Sequence, residues 1–123
     1  MKAAALILTS LAASPALAEG ARLTLTCSTA TVCTGPSACR PGGGPIEIVL
    51  APQDTDAAGA GTYTARTAAG EAEAQAAGHL GPFAWQEDAA RVSLVLASEA
   101  QAVLVRSDGG AAQTSLLTCD VTQ

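Results

Sequence analysis

Lysine occurs once in this chain, at Lys2; histidine occurs once, at His79; Phe, Trp and Tyr occur once each. Each scarcity removes a class of function. Without basic patches interleaved with aromatics, nothing tracks a phosphate backbone or stacks bases, so nucleic-acid binding is set aside. A Ser-His-Asp or Cys-His arrangement needs a histidine held by a carboxylate, and His79 lies in Gly78-His79-Leu80-Gly81-Pro82, a loop sequence. No C-x-x-C is present, which removes the thioredoxin-like redox pair. Zinc is disfavoured by the C-x5-C-x5-C spacing and the single distant His79. Gly42-Gly43-Gly44 lies between prolines with no Lys following, so it is not a phosphate loop. No apolar run reaches the roughly 18 residues needed to span a bilayer, so no membrane anchor is expected.

The chain opens with the layout of a secretory signal. Lys2 gives the positive start, Ala3 to Ala13 the apolar run, and Ala16-Leu17-Ala18 the small-x-small cleavage site. Residues 1–18 are read as a signal peptide and 19–123 as one mature domain, periplasmic or secreted. Once Lys2 is removed, five Arg face eleven Asp and Glu, a net of about minus six. Such a surface repels nucleic acid and anionic lipid; it favours a basic protein partner from the envelope or a host electrostatically, against the simpler reading that acidity serves solubility.

The four cysteines, Cys27, Cys33, Cys39 and Cys119, all follow the cleavage site. An even count in a short exported chain reads as two disulfides. Three connectivities are open. Thr34-Gly35-Pro36-Ser37-Ala38 is turn-rich and lies between Cys33 and Cys39, while Cys27 and Cys119 lie near the two ends of the mature chain. Cys33 with Cys39 and Cys27 with Cys119 is therefore the pairing ranked first.

Along the mature chain, apolar and polar residues alternate at period two between Gly, Pro, Asp and Ser turns, a strand pattern. Leu23, Leu25 and Cys27 share a face, as do Ile46, Ile48 and Leu50. Gly61–Thr67, Pro82–Gln86, Arg91–Ala97, Ala102–Arg106 and Gln113–Cys119 follow. Residues 71–77 are ambiguous, because Ala, Glu and Gln favour helix while their alternation favours strand. The strand reading ranks first, and seven or eight strands then predict an all-β, antiparallel meander barrel or sandwich stapled by disulfides.

Candidate chemistry is sparse. The carboxylate pairs Asp54 with Asp56, Glu71 with Glu73 and Glu87 with Asp88 fall at turns, where such groups are usually solvated. Asp54-Thr55-Asp56-Ala57-Ala58-Gly59 begins like a calcium loop, but Ala58 and Ala65 stand where ligands are required. Arg66, Arg91 and Arg106, on or beside predicted strands, read as solvated or snorkelling residues. No catalytic, metal or cofactor-binding residue is assigned. Trp85, on one face with Phe83, and Tyr63 with Thr62 are the residues singled out for binding, against the simpler reading that the aromatics fill the core.

The early Cys27, the stretch Gly59-Ala60-Gly61-Thr62-Tyr63, the single Trp85 before the last hairpins and the closing Cys119 together resemble the small β-barrel inhibitors of c-type lysozyme found in bacterial envelopes. The outline resembles more loosely some uncharacterised small exported proteins of alphaproteobacteria. The first resemblance implies a non-catalytic binding protein with a basic partner, contacted through the loop at Tyr63. Where that family presents Ser and Lys beside the Tyr, this chain has Gly61 and Thr62. The alternative is a carrier of a small apolar ligand within the barrel; an enzyme with an unfamiliar site ranks last.

Overall fold

The computed structural model describes residues 21–123. The expected signal peptide and its cleavage after Ala18 lie outside the described residues. Nine strands follow one another: β1 (Leu23–Thr34), β2 (Ala38–Pro41), β3 (Pro45–Thr55), β4 (Gly61–Thr67), β5 (Gly70–Ala76), β6 (Phe83–Glu87), β7 (Ala90–Leu96), β8 (Gln101–Ser107) and β9 (Ala112–Thr122). Each pairs antiparallel with its neighbour in the sheet, and β1 pairs with β9, so the strands apart from β2 close an eight-stranded up-and-down barrel. The expected all-β meander is the observed fold.

Closure depends on the long first strand. The first half of β1 pairs with β3 through Leu23–Ser28, and its second half pairs with β2 through Thr31–Thr34. Strands β2 and β3 thus continue one another along β1, separated by Gly42-Gly43-Gly44. A Cβ at Gly43 would lie 2.8 Å from the Thr29 Cβ. Gly43 is thus a close-approach site and Gly42 takes a φ of +81°, structural reasons for two of the three glycines in a sequence that carries no phosphate-loop chemistry. Across β1 the pairing with β9 skips Ala30, since Thr29 faces Leu117 and Thr31 faces Leu116. This bulge reverses the inward parity: Leu25, Cys27 and Thr29 are buried before it and Val32 after it.

The interior is built from alternate residues. Buried Leu25, Ile48, Leu50, Val92, Leu94, Leu96 and Leu117 line it together with all three aromatics, Tyr63, Phe83 and Trp85. The aromatics stand on β4 and β6, the two neighbours of β5, and β5 turns only Ala72, Ala74 and Ala76 inward. Tyr63 is paired with Ala74, Ala74 with Trp85, and Ala76 with Phe83. The small side chains leave room for the large ones, and Tyr63 meets Phe83 edge-on, with centroids 5.2 Å apart and planes at 88°. This is why residues 71–76 belong to a strand in spite of their helix-forming composition, with Ala77 in the bend that follows: a period of two places an alanine beside each ring, and tertiary packing outweighs local propensity.

Two disulfides are formed, Cys27–Cys119 and Cys33–Cys39, the pairing ranked first from sequence. Both join residues directly opposite in the ladder. Cys27–Cys119 is buried and fastens β1 to β9 where the barrel closes, whereas Cys33–Cys39 is on the outer side of the short β1–β2 extension.

Candidate functional site

The two ends of the barrel differ. At one end lie the β3–β4 and β5–β6 connections. Asp56 folds the first back on itself, its Oδ1 accepting from the backbone N–H groups of Ala58 at 2.9 Å and Ala60 at 3.0 Å. The His79 N–H donates to the Ala58 carbonyl at 3.1 Å and joins the two connections. Tyr63 is 1% exposed, and its hydroxyl donates to the Gly59 carbonyl at 2.9 Å. Burial, with the Asp56 charge, pushes the Tyr63 phenol above its ordinary pKa. This end is tied shut from within.

The opposite end carries a mouth. A cavity of about 280 Å³ is walled by Ile46, Ile48, Val92 and Leu104, with Trp85, Glu87 and Arg106 beside them. Glu87 is the last residue of β6, and parity turns it inward after Phe83 and Trp85. Its side chain is 10% exposed. Oε1 accepts from the Trp85 indole N–H at 3.0 Å and from the Thr67 hydroxyl at 3.0 Å, while Oε2 accepts from Arg106 Nη1. Burial by itself would raise the Glu87 pKa; the hydrogen bonds from Trp85, Arg106 and Thr67, with the Arg106 charge, outweigh it and hold the carboxyl below its ordinary value.

The wall beside the mouth is split. Strands β5 and β6 pair only from Ala74 to Ala76 against Trp85 to Phe83, so Gly70–Glu73 separates from Gln86 and Glu87. A slot of about 120 Å³ lies there, lined in part by Gly70, Ala72, Trp85 and Glu87. The Thr67–Glu87 hydrogen bond links the end of β4 to the end of β6 across that gap. A further depression of about 400 Å³ lies along β6–β8 and is bordered by the exposed Ala84, Gln86 and Arg91. It runs along the outer surface, whereas the mouth reaches the interior.

Of the residues singled out from sequence, Trp85 lines the mouth and Tyr63 lies in the core. Thr62 is half-buried on the outer face of β4, its hydroxyl accepting from Gln75 Nε2 at 3.4 Å. Glu71 pairs with Arg66 at 2.6 Å on the surface, and His79 is exposed. Glu87, read from sequence as solvated, is largely buried instead and is joined at the mouth to Arg106, whose side chain stays half-exposed. Nineteen positions separate them, and the usable signal was parity: each continues the inward row of its own strand. Among the described residues no three His, Cys, Asp or Glu side chains come together as a metal site. No family model, curated protein or solved structure matches the chain.

Proposed function

We propose that the protein acts by binding rather than turnover, and that it takes a small, mainly apolar ligand into the barrel mouth. The observation that carries this is the cavity of about 280 Å³ against Trp85, near the lower limit of ligand pockets at about 300 Å³ and walled by aliphatic side chains. Eight-stranded barrels either fill their interior or hold one small ligand, and this interior is filled at one end and recessed at the other. Of the two carboxylates that border the mouth, Glu87 is committed to three donors and paired with an arginine, which makes it a poor general base, and Glu47 stands on the outward parity of β3 between Ile46 and Ile48. A protein partner held through residues 59–63, as in the lysozyme inhibitors the sequence resembles, receives less support. Tyr63 and Gly59 are buried and bonded to each other, so that loop has no aromatic anchor to offer.

The two disulfides support an oxidising compartment outside the cytoplasm. Within that class, the amino-terminal signal layout favours export to the periplasm or beyond, where a ligand would be collected. The test is native mass spectrometry of the mature protein after exposure to a small-molecule extract of the envelope. A retained mass is expected on the unaltered protein and not on Ile46→Trp, which fills the mouth. Retention unaffected by Ile46→Trp, or no retained small molecule at all, would overturn the reading.

A further inference from the structure

The hydrogen-bonding groups at the mouth are unequal in number, and that inequality specifies a ligand. A guanidinium carries five N–H donors, and a carboxylate offers about four lone-pair positions. Glu87 already accepts three hydrogen bonds. The Arg106 side chain, among the described residues, makes one hydrogen bond to the protein, through Nη1, and is 47% exposed where it borders the cavity. Between these two inward-facing side chains the surplus is therefore of donors; Glu47, also at the rim, is exposed on the outward parity of β3 between Ile46 and Ile48. A ligand whose buried end carries an acceptor completes the set, whereas a donor end finds Glu87 almost saturated.

Charge narrows the choice further. Glu87 and Arg106 neutralise each other, Glu47 borders the same cavity, and the chain as a whole is acidic. An anionic head would add a second negative charge beside Glu87, in surroundings where apolar walls weaken screening. A cationic head would meet Arg106. An uncharged acceptor avoids both costs. At roughly 30 Å³ for each water displaced, the cavity takes the place of about nine waters, which sets the ligand at on the order of ten non-hydrogen atoms.

The geometry points to an uncharged carbonyl compound with a short aliphatic tail, its oxygen accepting from Arg106 and its tail against Ile46, Ile48, Val92 and Leu104. This rests on the reading of the mouth as a ligand site. Trp85 is the only tryptophan in the chain and lines the cavity, so its fluorescence reports occupancy directly. The mature protein is titrated with 2-octanone, octanoate and octylamine, which share a tail and differ in head. Saturable change is expected with 2-octanone, and about tenfold weaker binding or worse with the two charged compounds.

Two variants assign the contact. Arg106→Leu is expected to weaken 2-octanone about tenfold. Because it strands the Glu87 carboxylate, the double variant Arg106→Gln with Glu87→Gln is measured alongside, and its unfolding midpoint is recorded. Octanoate or octylamine binding more tightly than 2-octanone, or 2-octanone binding unaltered in a folded double variant, would overturn the assignment of ligand class while leaving the mouth as a site. No saturable change with any of the three would also overturn it. The reading of the mouth itself fails separately, when Ile46→Trp leaves the retention of an envelope molecule unchanged.

Discussion

At the scale of single residues, two polar side chains do most to hold the two barrel ends in different states. Tyr63 spends its hydroxyl on the Gly59 carbonyl, a buried bond that ties the closed end to the core. Tyr63→Phe keeps the ring and its edge contact with Phe83 but strands that carbonyl. A loss of about 1–2 kcal/mol in urea unfolding is expected, with Trp85 fluorescence at the mouth unaltered. Glu87 makes stability depend on pH. Its folded pKa lies below its unfolded value, so its contribution is complete above the unfolded carboxyl value of about 4.3 and is lost as pH falls through the lower folded value. Glu87→Gln removes this proton linkage. The drop in urea midpoint between pH 7 and pH 3 should be smaller in the variant than in the unaltered protein; an equal drop would mean that other carboxyls carry the acid response. The pairing of Glu87 with Arg106 was not legible from spacing, because residues 19 apart meet only once β6, β7 and β8 are laid side by side. Trp85 was legible as a candidate because a single tryptophan on an inward face must border either the core or a cavity.

At the scale of elements, the strands were legible wherever large apolar residues alternated with polar ones, as in Ile46, Ile48 and Leu50. What escaped was β2, whose residues Ala38–Pro41 are all exposed and leave no apolar trace. It exists because the β1–β2 turn and the Cys33–Cys39 bridge hold it against the second half of β1. The bulge at Ala30 escaped as well, since a parity change shows only when β9 supplies the register. Glycines at the joints separate into those the fold requires and those it tolerates. Gly61 opens β4 with φ at +139°, and an added Cβ would overlap the Asp54 carbonyl oxygen. Gly44 has no neighbour within 4 Å of such a Cβ and no left-handed φ. Gly61→Ala is therefore expected to cost more than about 1 kcal/mol, and Gly44→Ala to stay within about 0.5 kcal/mol of the parent or to stabilise slightly. Thermal unfolding of the two side by side checks this, and equal midpoints would contradict the overlap at Gly61.

At the scale of the whole molecule, stability depends on joining the ends of a chain whose core is modest in aromatic content. Strands β1 and β9 pair at ten positions, yet in the unfolded chain these partners are far apart in sequence. Cys27–Cys119 spans 92 residues and Cys33–Cys39 spans 6. In the chain-entropy account, the long closure contributes about 4–5 kcal/mol and the short one about 2–3 kcal/mol. Cys27→Ala with Cys119→Ala should accordingly lower stability by roughly twice as much as Cys33→Ala with Cys39→Ala. Access to reductant runs in the opposite order. Cys27 and Cys119 are 3% and 8% exposed, while Cys39 is exposed on the β1–β2 extension. A thiolate reaches a surface disulfide without unfolding the barrel, and a buried one only after β1 and β9 part. Under graded dithiothreitol, timed alkylation and mass mapping should show Cys33 and Cys39 labelled first, with the barrel still folded by circular dichroism. Labelling of Cys27 and Cys119 should then coincide with the loss of structure. Were Cys27 and Cys119 to be labelled first, or all four cysteines together before unfolding, the closure between β1 and β9 would open more readily than its burial and ten-position ladder allow.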